Sequence, residues 1–468
     1  RTPWLLPEFT PIIMRDALPN YFLLDTQPEA RLTPEVVTEA CRQLKRNRAQ
    51  YLRDMPTEEV ITHLSRLAEN WQDDLFPFRK MALEAEPTIT GFSRPSLAHG
   101  LDRFFARITE DNLHNLIAQE LGDSRRLDAP LSTPEERSDN RLAFACGPEL
   151  IGHIASGNLP CPTMMSMIQG LLVGSAQFIK CAENAGWLPA LFAHSLYDTH
   201  PKLGACIELA HWPGGKSELE SPLFDEADCI TAIGRDETLA SIRARLDSRR
   251  RFIGYGHRVS FAYIQKDMLS RALSRDLAQR MAQDIASWNQ LGCLSPHLVY
   301  VEQGGSVRPE MFAEMIAEAL DSLEVTQPRG DISPEESGTI AYKRDFYDVR
   351  SAGAGDVRQW KSEEGTHWTV VFEEDPVFTT SCLNRFIHVK PIGDLYEMLR
   401  VAEMARGQVS TVGLAAPKND AEAIVKQLAH WGVTRVCPIG QMQDPPLGWR
   451  HDGRPPLGDL VTWTDWEQ

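Results

Sequence analysis

The sequence predicts an α/β protein in which doubly wound parallel sheets follow a helical N-terminal region. Three observations point there. From Arg141 on, short apolar runs alternate with stretches of helical periodicity, the rhythm of a parallel sheet covered by helices on both faces. Before that point, from about Thr33 to Leu121, the apolar spacing is mostly helical. The 468 residues, 42% hydrophobic and 24% charged, suffice for two or three domains around sizeable cores. The boundaries expected are 1–122 for the helical region, 123–252 and 253–440 for two α/β domains, and 441–468 for a tail packing back on the core.

In chain order, Thr33-Pro34-Glu35 and Pro56-Thr57-Glu58 read as helix starts, and Leu101, Phe104, Phe105 and Ile108 repeat at helical spacing. This portion offers no chemistry and is expected to serve packing, subunit contact or as a lid. The polar stretch 122–140 reads as a joining loop. Strands are expected at 177–180, 205–208 and 229–233, with helices after Pro162, Leu188 and Asp236. Further on, Leu269, Leu273, Leu277, Met281, Ile285 and Trp288 fall on one helical stripe. Gly292 then breaks the helix, Cys293 occupies the loop, and 298–301 has strand composition. A helix at 309–323, strands at 368–372 and 386–390, and a strand-helix-strand unit at 409–415, 420–430 and 433–436 complete the chain.

Charge and cysteine usage exclude several classes. A net charge of −17 argues against nucleic acid and anionic membrane surfaces, which require clustered cations. The one basic run, Arg249-Arg250-Arg251, fits a cofactor phosphate or a solvated turn equally well. The nine cysteines are odd in number and scattered without zinc-ligand spacing, so free thiols, no metal and a reducing cytoplasmic setting are expected. The first residues lack a signal-peptide layout, and the most apolar window, 164–178, is too short to span a bilayer.

Four constellations besides the Cys293 loop could carry chemistry. The run 152–162 holds two glycines and two prolines and reads as a tight loop feeding a helix; its Asn158 can donate an N–H into a cavity or simply cap a turn. Lys180 closes a strand, where a nucleotide ribose or phosphate would lie in a doubly wound sheet, or where a lysine is merely solvated. Gly234 and Arg235 sit between a strand and a helix N-terminus, suited to an anion although no G-x-G-x-x-G is present. Gly254 and Gly256 lie in a glycine-rich run between two apolar stretches, either a cofactor-facing turn or a hairpin.

Together, His153-Ile-Ala-Ser-Gly-Asn158-Leu-Pro160, Lys180, Gly234, Tyr255-Gly-His-Arg-Val-Ser260-Phe, Cys293-Leu-Ser-Pro296 and His451-Asp-Gly453 resemble, in this order, the aldehyde dehydrogenase superfamily and within it the LuxC-like acyl-CoA reductases. The likeness runs from about Arg141 to the C-terminus and fits the helical part loosely. It implies an aldehyde-dehydrogenase-like fold with a dinucleotide-binding and a catalytic thiol domain. It also implies NADPH, with NADH as the alternative cofactor. The implied roles are Cys293 as acyl-accepting nucleophile, Asn158 with the Cys293 N–H as oxyanion hole, and Lys180 at the adenosine ribose or its 2′-phosphate. Gly234 would lie against the nucleotide, with Arg235, Gly254 and Gly256 as further cofactor contacts. His257 and His297 are candidate proton donors, and Trp212, Trp288 and Tyr255 candidates for an acyl pocket. One departure is informative: the glutamate base of aldehyde-oxidising members has no counterpart in 254–258, and the E-x-F-G ribose motif is absent near 378–385. Without a deacylating base an acyl-enzyme survives to receive hydride, which favours thioester reduction. Oxidative formation of acyl-CoA and non-redox acyl transfer are the alternatives. An acyl or aryl thioester of CoA or of a partner ligase is the expected substrate, and a homo-oligomer the expected assembly.

Overall fold

Side-chain caps start three of the four N-terminal helices taken here. In the computed structural model, which describes residues 18–25, 32–85, 87–155, 157, 159–182, 186–353 and 355–468, Thr33 caps α1 (Pro34–Asn47) by accepting from the Val36 N–H. Helix α2 spans Thr57–Gln72. Ser93 and Thr109 cap α3 (Arg94–Phe105) and α4 (Glu110–Leu121) in the same way. Gly122, at φ 82°, ends α4 in a conformation that costs glycine little. These helices have no core of their own. Val37, Leu101 and Phe105 belong to one buried cluster with Phe178 and Ile230 of the first sheet and Leu457, Leu460 and Val461 of the tail.

After β1 (Arg141–Cys146), the first sheet comprises β2 (Leu150–Ile154), β3 (Ala176–Cys181), β4 (Ile207–His211), β5 (Cys229–Ile233) and β6 (Arg251–Tyr255). Their order is β4-β3-β2-β5-β6, all parallel, so the winding reverses between β2 and β5. Helices α5 (Cys161–Leu172), α6 (Trp187–Thr199) and α7 (Asp236–Arg245) belong to its crossovers. Every residue of β3 is buried, as expected for a parallel strand covered on both faces.

The second sheet has seven strands: β7 (Val259–Ile264), β8 (Pro296–Glu302), β9 (Val357–Lys361), β10 (Thr369–Glu373), β11 (Phe386–Ile392), β12 (Val409–Ala415) and β13 (Arg435–Pro438). Their order is β13-β12-β7-β8-β11-β10-β9, parallel except for the edge strand β9. Helices α8 (Ser274–Ala286) and α9 (Pro309–Thr326) pack on one face with Ala262, Val299 and Ile387, while Phe261, Leu298 and Tyr300 line the other. The chain ends in β14 (Thr462–Glu467), antiparallel to β1.

Several sequence expectations change. Residues 152–154, read as the start of a loop, belong to the central strand β2, because Gly152 and its neighbour Ile151 pair on both sides. A side chain at Gly152 would meet Ile230 at 2.6 Å, so the glycine serves sheet packing. The strand expected at 205–208 begins at Ile207. The glycine-rich run is not a hairpin: β6 and β7 belong to different sheets, and 256–258 is the link between them. The arginine run is structural; Arg251 donates to the carbonyls of Asp459, Leu460 and Val461, and Arg249 pairs with Asp247. Leu273 does not join the buried stripe but is 46% exposed, because α8 starts after it. No helix among the described residues is long and apolar enough to cross a membrane.

Candidate active site

The Cys293 loop is held by backbone that few side chains tolerate. After α8 ends at Ala286, Trp288, Asn289 and Gln290 all take positive φ, at 52°, 52° and 64°. It is this left-handed turn, rather than Gly292, that breaks the helix. Across from it, Leu383, Asn384 and Arg385 form a second left-handed trio, at 67°, 56° and 65°. Each such residue costs on the order of 1 kcal/mol or more. Mutual hydrogen bonds offset that cost. Buried Gln290 accepts from the Phe386 N–H at 2.8 Å and donates to the carbonyls of Pro296 and Phe386 at 2.8 and 2.9 Å. Arg385 donates to the Asn289 side chain at 3.3 Å.

Further bonds fix the thiol residue itself. The Cys293 carbonyl accepts from Ser260 Oγ on β7 at 2.6 Å, and that oxygen in turn accepts from the Thr411 N–H on β12. Ser295 Oγ accepts from Gln443 Nε2 of the tail at 2.8 Å. Cys293 is half-buried as a residue, and these bonds hold its backbone and its neighbour Ser295 in place.

Burial pushes the Cys293 thiol up to about 12, and Asp452 adds to the shift; its own N–H, Arg258 and Arg435 oppose it. The loop setting therefore does not lower this thiol in the way that helix ends or neighbouring cations lower other loop cysteines. In the free protein, alkylation of Cys293 by iodoacetamide is therefore expected to stay slow at a pH of about 8.5, where an unperturbed thiol is half ionised. Intact mass across a pH series checks it, and rapid labelling near neutral pH would contradict the buried, protonated sulfur.

One of the two candidate histidines, His297, is also shifted. Burial, with His257 nearby, holds His297 down to about 4, and its Nδ1 accepts from the Ser381 N–H at 3.0 Å. His297 is thus neutral near pH 7, with its proton on Nε2. It is no imidazolium acid in the resting protein.

The carboxyl ends of β2, β3 and β5 lie level at the reversal point, since Ile154 pairs with Lys180 on one side and Ala232 on the other. Lys180 is 7% exposed, not solvated. Gly234 follows β5, and a side chain there would meet only Thr238, at 3.9 Å, so its backbone is open to a ligand. Arg235 precedes α7 as its exposed N-cap. Gly254 and Gly256 have packing reasons of their own: a Cβ at Gly256 would lie 2.2 Å from Asp236 Oδ1, and one at Gly254 about 3.0 Å from Phe252. Asn158 lies outside the described residues, but its neighbour Leu159 packs on Gly292, where a Cβ would come within 2.8 Å of Leu159 Cδ1. The loop after β2 and the thiol loop therefore touch.

A cavity of about 220 Å³ opens beside this contact. Ile89 and Phe92 of the helical region, Pro160, Trp187, Leu188 and Leu291 line it, with Glu336 as its one carboxylate. None of the aromatic residues expected from the sequence is among them. Trp212 is 2% exposed against Phe178, Trp288 packs on Phe92 and Gly100, and Tyr255 stacks on His451 at 4.4 Å. The helical region, read as free of chemistry, supplies a wall of the pocket, and apolar periodicity could not separate such wall residues from core.

A family model described as acyl-CoA reductase (LuxC) matches residues 52–463, which takes in most of the helical region as well as both sheets. A long-chain acyl-protein thioester reductase of Photorhabdus laumondii subsp. laumondii is 21% identical over 420 residues, covering 87% of this chain and 82% of that protein. Another, from Photobacterium phosphoreum, is 20% identical over 420 residues, covering 88% and 80%. Among solved structures, an NAD-dependent benzaldehyde dehydrogenase from Corynebacterium glutamicum matches with a TM-score of 0.66 at 15% identity, over 94% of this chain and 91% of that one. A glyceraldehyde-3-phosphate dehydrogenase from Methanocaldococcus jannaschii, complexed with NADP, matches with a TM-score of 0.66 at 12% identity, over 93% and 94%. The fold is aldehyde-dehydrogenase-like, as the sequence motifs implied.

Proposed function

Because the chain belongs to the LuxC family of acyl-CoA reductases, aldehyde-forming enzymes, we propose that it reduces an acyl thioester to the aldehyde through an acyl group carried on Cys293, with NADPH as reductant. The observation that carries this reading is the firmly held Cys293 loop where the loop after β2 meets it, with a cavity beginning two residues away at Leu291. The carrier, CoA or a protein thioester, is suggested by the names of the family and of the relatives; a partner ligase and a homo-oligomer rest on the family likeness alone.

The residues at the reversal point fit a nicotinamide nucleotide. The open backbone of Gly234 admits the close approach that a nucleotide needs, and Lys180 and Arg235 supply cations near it. Gly254 and Gly256 stay as contacts suggested only by the glycine-rich run they lie in. When bound, the cofactor supplies hydride. The protein's own part is acyl transfer and positioning. Cys293 attacks the thioester carbonyl, and the oxyanion is held by the Cys293 N–H and Asn158, each such donor contributing about 10²–10³-fold. The thiohemiacetal formed after hydride addition collapses to aldehyde and the Cys293 thiolate. The cavity walls hold the acyl tail so that its carbonyl stays at the sulfur.

Intact-mass analysis after mixing with a series of acyl-CoAs tests the reading. It predicts a single adduct, removed by NADPH with release of aldehyde; an enzyme that reacts only with aldehyde, NADP and CoA would speak for the oxidative direction. Filling the cavity gives a second test. Leu188→Trp is expected to cut turnover of the longer acyl groups about 10-fold or more while sparing the shortest, since one or two methylenes in an apolar pocket account for about 1–3 kcal/mol. Equal losses at all lengths would show that the tail lies elsewhere.

A further inference from the structure

Away from the thiol, two imidazoles and a carboxylate converge where the helical region meets the first sheet. Glu59 and His63 stand four residues apart on α2, so they project from one face of that helix. His200 follows α6, in the crossover from β3 to β4, and caps the short helical turn Pro201–Gly204. The Nε2 atoms of His63 and His200 lie 3.7 and 3.9 Å from the same Glu59 oxygen. Their rings are 3.9 Å apart and tilted at 48°. One ligand atom from each of the three residues falls within 4.8 Å of the other two. Such separations are too long for hydrogen bonds. They approach the spacing of roughly 3.4 Å between donors that share one tetrahedral ion at bonds of about 2.0–2.1 Å. Glu59 is exposed and both histidines are half-buried, so small side-chain rotations can close the gap while water reaches the open side.

We infer that Glu59, His63 and His200 form a binding site for a divalent transition-metal ion of the zinc class, which clips α2 to the crossover between β3 and β4. Two imidazole nitrogens and one carboxylate oxygen are a zinc-type donor set, whereas calcium and magnesium take oxygen ligands. Water completes the coordination on the exposed side. Glu59 supplies the negative charge an ion needs, and the charge of Lys202, close to His200, opposes it. Ligation through His200 Nε2 puts the ring proton on Nδ1 and displaces one long bond, from the Leu203 N–H to Nδ1 at 3.2 Å. That N–H keeps the His200 carbonyl, at 3.0 Å. The clip acts where it has most to hold, because the helical region shares its buried cluster with the first sheet instead of closing a core of its own. It stands apart from the acyl chemistry and does not depend on it. Cysteine spacing could not reveal such a site, since the fold brings the third ligand from far along the chain.

Zinc titration of the full chain, stripped with a chelator and kept reduced, tests the assignment. Calorimetry should show one equivalent bound in preference to magnesium or calcium. X-ray absorption at the zinc edge should find a nitrogen and oxygen shell at about 2.0–2.1 Å and no sulfur at about 2.3 Å, which separates this site from the nine free thiols. His63→Gln and His200→Gln should each weaken zinc about 10²-fold, and Glu59→Gln about tenfold. Saturating zinc should raise the thermal midpoint of the unsubstituted protein and leave that of the His63→Gln protein unmoved. His200→Gln also removes the cap on Leu203, so His63→Gln, a change on the surface of α2, decides the matter if the His200 variant folds poorly. A sulfur shell, a zinc affinity indifferent to His63→Gln or to Glu59→Gln, or no uptake of zinc at all overturns the inference. The same holds if magnesium or calcium competes on equal terms, for the three residues then form only a polar contact between helix and turn.

Discussion

Cys293→Ala should abolish aldehyde formation, by about 10⁴-fold or more, and remove the acyl adduct from the intact mass. The fold should survive the change. The loop is held through the Cys293 carbonyl by Ser260 and through Gln290 and Gln443, not by the sulfur. Thermal stability should therefore change by well under the loss seen for a large core cavity, since the change removes a single sulfur atom. The informative readout is the adduct. Turnover within tenfold of the unsubstituted enzyme, or an adduct that reappears on Cys161 or Cys437, would place the acyl group elsewhere in the molecule.

Gln290 carries the largest expected structural effect. Its amide is 0% exposed and makes three hydrogen bonds that tie the first left-handed trio to the second and to the start of β8. Gln290→Ala would remove three buried hydrogen bonds, at about 0.5–1.5 kcal/mol for each bond lost, although the Phe386 N–H keeps the Leu383 carbonyl and the Phe386 carbonyl keeps Ser381 Oγ. The expected result is a fall in the thermal midpoint of several degrees and a loss of Cys293 acylation greater than the fraction unfolded can explain. Gln290→Glu keeps the shape and the acceptor but loses both donors, so it should be nearly as harmful as alanine. A Glu variant of unchanged stability would show that the amide is not what bridges the two turns.

Much of the architecture was readable from local pattern. The strand at 229–233 is β5 residue for residue, and 409–415 is β12, because each is an apolar run that a covered parallel strand requires. Strand β2 escaped because Gly152 and His153 interrupt its apolar run, and their suitability depends on neighbours. Gly152 admits Ile230, while His153 is satisfied by Thr231 at 2.6 Å and Gln177 at 2.9 Å, on the adjoining strands. The family likeness, carried by short motifs in order, held and proved longer than those motifs suggested, reaching back to residue 52. The site was legible only in part. Cys293 stood out through its helix-loop-strand setting, whereas Trp187 and Leu188, which line the cavity, carried no signal beyond being apolar.

Sequence by itself determined which residues repeat with helical or strand period, where the candidate thiol lies, and what kind of protein the ordered motifs belong to. The tertiary structure alone decided that the thiol is pushed up rather than down, that the arginine run anchors the tail, and which apolar side chains face a cavity instead of a core. The reason is physical. Period and turn chemistry act between neighbours in the chain, but desolvation, charge and enclosed volume at Cys293 are set by residues as distant as Ile89 and Asp452, which meet only when both sheets and the tail have closed around it.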